Sequence, residues 1–244
     1  MKIVKLRTTT STNSFLKEMV AKNTVDNFTV VTADYQTKGR GQRGNNWLSE
    51  EGKNLLISIF IRHTSLPIEQ NFLLNQVISL AILRVLQNYL PQVKIKWPND
   101  IMAGSYKIAG ILIENTISDK HIKQSVIGIG LNVNQEIFPK EIPNVSSLKI
   151  LLKRELNLDE LLSSFVLSIR KNYQLLSDKN IEQIKQEYLD NLYLHKIESL
   201  FKNTDNQIFK GVITGVSNEG KLQLITDGTL KEFNFKELLF LPED

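Results

Sequence analysis

The order of its apolar segments is what most constrains the fold of this chain. Short β-rich runs alternate with runs of helical spacing through most of its length, which is typical of an α/β domain. The β-rich runs lie at Ile3–Leu6, Phe28–Ala33, Asn54–Arg62, Val93–Lys96, Lys107–Glu114 and Gln124–Leu131, and the helical runs follow Ser11-Thr12-Asn13 and cover Glu69–Leu90, Leu158–Ser177 and Ile181–Leu192. From about Ile197 onward the sequence consists of short β-like runs separated by turn signals. We therefore predict an α/β domain over residues 1–192 and a small separate β-barrel over residues 193–244.

Composition excludes several classes of protein. The chain of 244 residues contains no cysteine, so disulfides and thiolate metal sites are ruled out. An apolar run of about 18 residues or more is missing, as is a secretory leader, which predicts a cytoplasmic protein without a membrane span. The net charge of +4 is modest and gives weak support for nucleic-acid binding, since a basic patch around a nucleotide phosphate explains it equally well.

The segment richest in functional signals is Lys38-Gly39-Arg40-Gly41-Gln42-Arg43-Gly44. Its glycines let the backbone approach a ligand closely, and their amides can bind an anion. Arg40 and Arg43 add planar donors that suit phosphate or carboxylate oxygens. The pattern is neither a Walker loop nor a dinucleotide fingerprint, because the residues and the strand–helix unit that define these are missing. Taken alone, the segment is explained equally well as a solvated basic turn.

Two further segments place polar residues at strand ends. In Lys96–Asp100, a proline-containing turn would hold Asn99 and Asp100 at the end of a short strand, although a structural Asx turn accounts for both. In Lys107–Glu114, a lysine opens an apolar strand, which is usually a solvated strand end. Gly110, inside that strand, indicates the close approach of a ligand or of another backbone.

Alternating glycines mark a fourth segment, Val126–Asn134. Gly128 and Gly130 leave one face of this strand without side chains, so that a flat group could lie against it. Tight packing between strands is the simpler explanation when the segment is considered alone.

Together these segments resemble the biotin–protein ligases, in the short form without a DNA-binding domain. The matching segments occur in the family's order and at similar spacing: Ser11-Thr12-Asn13, the Gly39–Gly44 loop followed by Trp47, Lys96–Asp100, Lys107–Glu114 and Gly128–Asn134. The resemblance covers nearly the whole chain. It implies a mixed-sheet catalytic domain of the biotin/lipoate ligase type followed by an SH3-like β-barrel. It also implies an ATP-dependent ligase that forms biotinyl-5′-AMP and transfers biotin to a lysine of a biotin carboxyl carrier protein.

The resemblance further implies which residues form the site. The catalytic candidates are Lys107, Arg40, Asp100 and Arg43. Lys107 would contact the biotin carboxylate and the α-phosphate, and Asp100 would accept the proton of the incoming lysine. The biotin site is expected at Ser11, Thr12, Asn13, Gln36, Gly39, Arg40, Gly41, Gln42, Lys107 and Gly110. The ATP site is expected at Arg40, Arg43, Trp47, Asn99, Lys107 and Asn132.

The sequence departs from the family pattern at one position and leaves two alternatives. Gln42 stands where many members have arginine, which removes a positive charge near the adenylate and bears on how tightly that intermediate is retained. The first motif begins at Ser11, so we expect neither a DNA-binding domain nor repressor activity. A lipoate–protein ligase or octanoyltransferase is the nearest alternative, because these enzymes share the fold. A non-catalytic regulator that binds biotin or a nucleotide is the other.

The expected ligands follow from the same resemblance. ATP and biotin are substrates, and Mg²⁺ is expected with the ATP, although no carboxylate cluster identifies metal ligands. The expected partner is a biotin carboxyl carrier protein or domain, with neither nucleic acid nor membrane involved. The sequence leaves a homodimer open, as it does the identity of the acceptor and the order of substrate binding.

Overall fold

A computed structural model of the protein describes residues 2–22, 24–176 and 181–241, and these form two β-sheets and five α-helices. The strands of the first sheet are β1 (Ile3–Thr9), β2 (Val30–Gln36), β3 (Leu55–Arg62), β4 (Val93–Lys96), β5 (Asp100–Ala103), β6 (Tyr106–Ser118) and β7 (His121–Leu131). The helices are α1 (Thr12–Lys22), α2 (Asn71–Gln87), α3 (Leu148–Leu152), α4 (Leu158–Gln174) and α5 (Ile181–Asp190). Among the described residues, none of the helices is both long and apolar enough to cross a membrane.

The first sheet is mixed, with strand order β1-β2-β3-β7-β6-β5-β4. β1 and β2 are parallel, and all other neighbours are antiparallel. β3 is buried from Leu55 to Ile61 because helices cover both of its faces, as its apolar run, interrupted at Ser58, indicates. Ile57 and Ile59 belong to the main core with α2, whereas Phe60 packs with Leu16 of α1 in a smaller core on the opposite face.

Helix α2 is the centre of the main core. It is buried around almost its whole circumference, because it packs against β4 on one side and against α4 and α5 on the other. A helix with such an apolar surface is stable only when other elements cover it completely. Helices α2 and α4, with α5 packed against α2, therefore lie on one face of the sheet, and the site lies on the opposite face, beside α1.

The predicted elements are present, with shifted ends. β2 begins at Val30 rather than at Phe28, because Phe28 has a left-handed backbone (φ 61°) that a strand cannot accommodate. α2 ends at Gln87 rather than Leu90, where amides of the following residues bond back to carbonyls only three residues earlier. The predicted end of α4 at Ser177 lies outside the described residues.

Two elements were not predicted. Asp100, expected in a turn, instead opens the four-residue strand β5. This strand is held by its pairing with β4 and β6, which no local sequence pattern predicts. Helix α3 has five residues and begins after Ser147, whose side chain accepts a hydrogen bond from the amide of Ile150. Both elements are shorter than the windows that periodicity needs.

The C-terminal part of the chain forms a separate five-stranded antiparallel sheet. Its order is β11-β10-β9-β8-β12, and its strands are β8 (Glu198–Asn203), β9 (Ile208–Val216), β10 (Leu222–Thr226), β11 (Thr229–Phe233) and β12 (Leu238–Phe240). Phe201, Ile213 and Leu224 fill its interior. A mixed α/β part followed by a small β part confirms the predicted fold class.

The two sheets are joined by a segment that is hydrogen-bonded to both. The amide of Tyr193 donates to the carbonyl of Ile95 (2.8 Å), and that of Lys196 donates to the carbonyl of Ile213 (3.0 Å). The indole Nε1 of Trp97 donates to the carbonyl of Gly220 (2.8 Å), so a second contact bridges the parts. These contacts favour a fixed attachment, and a domain boundary between residues 192 and 193 stays a prediction.

A buried histidine makes the stability of the fold depend on pH. His63 is 6% exposed; its Nδ1 lies 2.7 Å from the hydroxyl of Tyr173 and its Nε2 lies 2.7 Å from Oγ of Ser125. Because Ser125 donates its own proton to Asn115, it accepts one from Nε2, and Nδ1 then accepts from Tyr173. Burial lowers the pKa of His63 from 6.5 to about 4, so the folded state keeps the ring neutral.

We expect the free energy of unfolding to fall as the pH drops from 6.5 to 4. In that window His63 binds a proton in the unfolded chain but stays neutral in the folded chain. This difference lowers the free energy of unfolding by roughly 3 kcal/mol in total. Urea titrations at several pH values measure this, with His63→Gln as the comparison. The variant removes the titrating group, so its pH dependence should be flatter; equal slopes in the two proteins would contradict the assignment.

Candidate functional site

A cavity of about 230 Å³ lies where α1, the sheet and the C-terminal part of the chain meet. It brings together most of the side chains and glycines that the sequence singled out. These are Ser11, Thr12, Asn13, Gln36, Arg40, Gly41, Gln42, Trp47, Asn99, Asp100, Lys107 and Gly110. Segments spread over about a hundred residues of sequence therefore form one site.

One end of the cavity is polar and pre-ordered. α1 begins at Thr12, whose amide and hydroxyl both donate to Oε1 of Gln36, at 2.7 and 3.1 Å. Ser58 of β3 donates to the Thr12 hydroxyl (2.8 Å) from beneath, and it is fully buried. Sequence analysis missed Ser58, because it lies inside an apolar strand. The network fixes donors and acceptors at one end of the cavity before any ligand arrives.

Glycines of β6 and β7 form the floor of the cavity. Gly110 pairs with Gly130, and a Cβ on Gly130 would lie 2.4 Å from Cε2 of the Trp47 indole. Two residues along β7, a Cβ on Gly128 would lie 2.5 Å from Oδ1 of Asn13. The flat group on the bare face of this strand is thus the ring of Trp47. From the Asn13 end to the Trp47 end, the floor extends about 7 Å.

The Gly39–Trp47 segment forms a small hairpin at the mouth of the cavity. The amide of Trp47 donates to the carbonyl of Gly39 (2.9 Å), and that of Gly41 donates to the carbonyl of Asn45 (2.7 Å). Gly39 is required by this close approach, because a Cβ there would lie 2.3 Å from the Trp47 carbonyl oxygen. Arg40 extends from the hairpin to Glu114 of β6, with Nη2 and Oε2 2.7 Å apart.

The other end of the cavity is cationic. Nζ of Lys107 lies 2.7 Å from Oδ1 of Asp100 and 5.6 Å from the centre of the Trp47 ring. Lys96 lines the same space, and its Nζ lies 4.8 Å from the centre of the Phe240 ring. Burial lowers the pKa of Lys96, and the charge of Lys107 adds to this, while Asp100 opposes it. Two ammonium groups therefore face one region, where they favour an anionic ligand.

The C-terminal part supplies one wall of this cationic end. Phe235, Leu238, Leu239 and Phe240 line the cavity opposite Lys96. Trp97, which is 4% exposed, packs edge-on against Phe235. Asn99 is buried and its amide donates to the carbonyl of Ile111 (2.8 Å), so it fixes the turn between β4 and β5. The sequence did not predict the four residues of the C-terminal part that line the cavity, because their position depends on how two distant parts of the chain pack.

Three predicted site residues, Asn132, Gly39 and Arg43, are not among those named above as lining the cavity. Asn132 is buried, and its amide donates to the carbonyl of Ser146 (3.0 Å), so it orders the segment after β7 rather than lining the cavity. Gly39 belongs to the hairpin but does not line the cavity. The side chain of Arg43 lies outside the described part of the chain. Within that part, no group of three or more histidine, aspartate or glutamate side chains is placed to hold a metal ion.

We predict that Gly130→Ala displaces the Trp47 ring, because the added methyl would overlap it. The chain has two tryptophans, so a Trp97→Phe background leaves Trp47 as the single tryptophan reporter. The expected result is a red shift and greater quenching of Trp47 fluorescence as the ring becomes exposed. Gly215→Ala is the matched control, since its Cβ would meet the flexible end of Gln223 in the other sheet. An unchanged spectrum in Gly130→Ala would contradict the packing.

Comparison with known proteins agrees with this geometry. The model of the biotin/lipoate A/B protein ligase family matches residues 6–132. The chain is 30% identical over 226 residues to the bifunctional ligase/repressor BirA of Escherichia coli K12, covering 91% of this chain and 68% of that protein. It is 29% identical over 217 residues to BirA of Bacillus subtilis, covering 87% and 66%. A biotin protein ligase from Aquifex aeolicus, solved with biotin and ATP, matches with a TM-score of 0.80 at 26% identity over 99% of both chains.

The chain therefore belongs to the biotin/lipoate A/B protein ligase family. Within that family it groups with the biotin–protein ligases, which confirms the resemblance found in the sequence. It spans about two thirds of the length of the first curated relatives it matches.

Proposed function

We propose that the protein is an ATP-dependent biotin–protein ligase, which converts biotin to biotinyl-5′-AMP and transfers the biotinyl group to a lysine of a biotin carboxyl carrier protein. The observation that carries this proposal is the layout of one cavity. A glycine floor beneath an indole ring separates its polar end from its cationic end. Biotin has the same order of parts, namely a ureido ring, an apolar body and chain, and a carboxylate.

This layout supports one orientation of bound biotin. Its ureido group would meet the network of Thr12, Gln36 and Ser58, where hydroxyl and amide groups supply fixed partners. Its apolar part would lie against the Trp47 ring, which the bare faces of Gly110 and Gly130 admit to the cavity. Its carboxylate would then reach the cationic end. Ser11, Asn13, Gly39 and backbone groups of Arg40 to Gln42 stay predicted members of the biotin site.

The first half-reaction would take place beside Lys107. A biotin carboxylate oxygen attacks the α-phosphorus of ATP, a new P–O bond forms, and the bond to the leaving pyrophosphate breaks. Lys107 and Lys96 would offset the charge that the carboxylate and the phosphates bring together. Their ammonium groups are already fixed by Asp100 and by the Phe240 ring, so little reorganisation is needed. Asn99, Trp47, Arg43 and Asn132 stay predicted members of the nucleotide site.

The second half-reaction would transfer biotin to the acceptor. The lysine amine attacks the carbonyl carbon of the mixed anhydride, and AMP leaves with the bonding electron pair. Asp100 lies at this end of the cavity and would accept the proton released by the amine. Its contact with Lys107 keeps the carboxylate beside the reacting groups.

Mg²⁺ would enter as the complex of the substrate ATP. Asp100, the carboxylate nearest the cationic end, already pairs with Lys107, so the described residues offer no preformed set of ligands to a resident ion. The metal would contribute charge neutralisation at the phosphates. We further propose cytoplasmic action on a carrier domain, without nucleic acid.

The test of this function is isotopic exchange between pyrophosphate and ATP. Exchange should depend on biotin and should not be supported by lipoate. Labelled biotin should then appear on an acceptor carrier domain in a hydroxylamine-resistant, amide-bound form. Exchange that lipoate supports would instead indicate a lipoate ligase, and biotin binding without exchange would indicate a non-catalytic regulator.

A further inference from the structure

Glu114 lies behind the cavity and connects three separate elements. Its Oε2 accepts a hydrogen bond from the Asn13 amide (2.9 Å) and pairs with Arg40 (2.7 Å), and its Oε1 pairs with Lys17 (3.0 Å). Asn13 and Lys17 are one turn apart on α1, whereas Arg40 belongs to the Gly39–Trp47 hairpin. One carboxylate on β6 thus joins the hairpin to the start of the helix that forms the polar end of the cavity.

The carboxylate is suited to remain ionised in this position. Its side chain is 21% exposed, and burial by itself would raise its pKa. Hydrogen bonds from Asn13 and Lys17 and the charges of Arg40 and Lys17 outweigh burial, so the pKa of Glu114 lies below its ordinary value. Two cations therefore share one anion that keeps its charge at neutral pH.

The described side chains give the hairpin few other attachments that could hold it closed. Its backbone hydrogen bonds between Gly39 and Trp47, and between Gly41 and Asn45, join its two arms to each other. Trp47 packs on the glycine floor with the Lys107 ammonium group 5.6 Å from its ring centre, and among the described residues its buried indole Nε1 has no hydrogen-bond partner. Among the side chains that the structure describes, the ion pair of Arg40 with Glu114 is the hydrogen-bonded contact that joins the hairpin to the sheet.

We propose that Glu114 is a positioning residue that holds the hairpin closed over the biotin end of the cavity through Arg40. This inference rests on the proposed function. The inference gives Arg40 a role different from that of Lys107 and Lys96. The Arg40 side chain pairs with Glu114 near the polar end, whereas the two lysines lie at the cationic end. Since the same carboxylate orients Asn13, closure of the hairpin and order at the polar end depend on one group.

The test measures hydrogen exchange and kinetics in Glu114→Gln, Arg40→Met and the double variant. Backbone amides of residues 39–47, without ligand, should exchange about 10-fold faster in Glu114→Gln. Arg40→Met should give the same increase, and the double variant should add nothing further, since both changes break one contact. In pyrophosphate exchange, Glu114→Gln should raise KM for biotin about 10-fold with kcat within threefold. Glu51→Gln, which alters an exposed carboxylate paired with Arg7, is the control.

The outcomes separate this inference from its alternatives. Unchanged exchange in the hairpin, or additive effects in the double variant, would overturn it. Faster exchange throughout β3 and β7 as well would show that Glu114 supports the fold in general, which also overturns it. If Glu114→Gln does not fold, Arg40→Met decides alone, because its side chain is partly exposed. A wild-type protein without biotin-dependent pyrophosphate exchange would refute the proposed function, while the hairpin exchange rates would still test the contact.

Discussion

Lys107→Ala should lower the rate of biotin-dependent pyrophosphate exchange by roughly 100- to 1,000-fold, which is the usual loss when one preorganised electrostatic contact at a reacting centre is removed. Lys107 lies in β6 beside Gly110, and its ammonium group is held at the cationic end of the cavity by Asp100. The truncation would leave the adjoining carboxylate unpaired where negative charge gathers in the reaction. The loss should appear in kcat, because the charge that Lys107 offsets develops most in the transition state.

The control for this prediction is Lys94→Ala. Lys94 belongs to the neighbouring strand β4, but its ammonium group donates to the carbonyl of Asp190 on the outside of the sheet. Both substitutions remove a partly exposed lysine from a strand, so they should change the melting temperature by similar small amounts. Pyrophosphate exchange should remain near normal in Lys94→Ala. Near-normal exchange in Lys107→Ala would contradict the assignment of the cationic end.

Sequence patterns predicted those features that depend on local residue choice. The alternating glycines Gly128 and Gly130 implied a bare strand face, and a flat ring does lie there. The polar sequence after β1 implied a helix start, and α1 begins at Thr12. In both cases the signal is contained in a few consecutive residues: a missing side chain in one, a capping sequence in the other.

What the sequence could not predict are contacts between distant segments. Ser58 reads as part of an apolar strand, and its role at the polar end depends on which strand face meets Thr12. Glu114 is the last residue of a recognised motif, yet its partners lie 74 and 101 positions away, on the hairpin and on α1. Phe240 reaches Lys96 only because the C-terminal sheet packs against β4. Such pairs follow from topology, which no local window contains.

Removal of the C-terminal sheet is expected to abolish most nucleotide chemistry while sparing the polar end of the cavity. A chain ending at Leu192 loses Phe235 and Phe240, which wall the cationic end, and it uncovers Trp97. Lys96 would return to solvent, where its charge is screened and its position is no longer fixed. Misplaced groups at a reacting centre cost on the order of 100-fold in rate, so pyrophosphate exchange and acceptor labelling should fall by about that factor.

Truncation at Leu192 should affect biotin binding less than pyrophosphate exchange, because Thr12, Gln36 and Ser58 belong to the remaining part of the chain. The truncated protein should stay soluble if residues 1–192 form a domain, although exposing Trp97 should lower its stability by about 2 kcal/mol. Phe240→Ala in the full chain is the matched variant, since it removes the ring over Lys96 and keeps the sheet in place. It should lower pyrophosphate exchange without changing biotin affinity. If the truncated chain equalled the full chain in biotin binding, pyrophosphate exchange and acceptor labelling, the C-terminal sheet would play no part in the reaction.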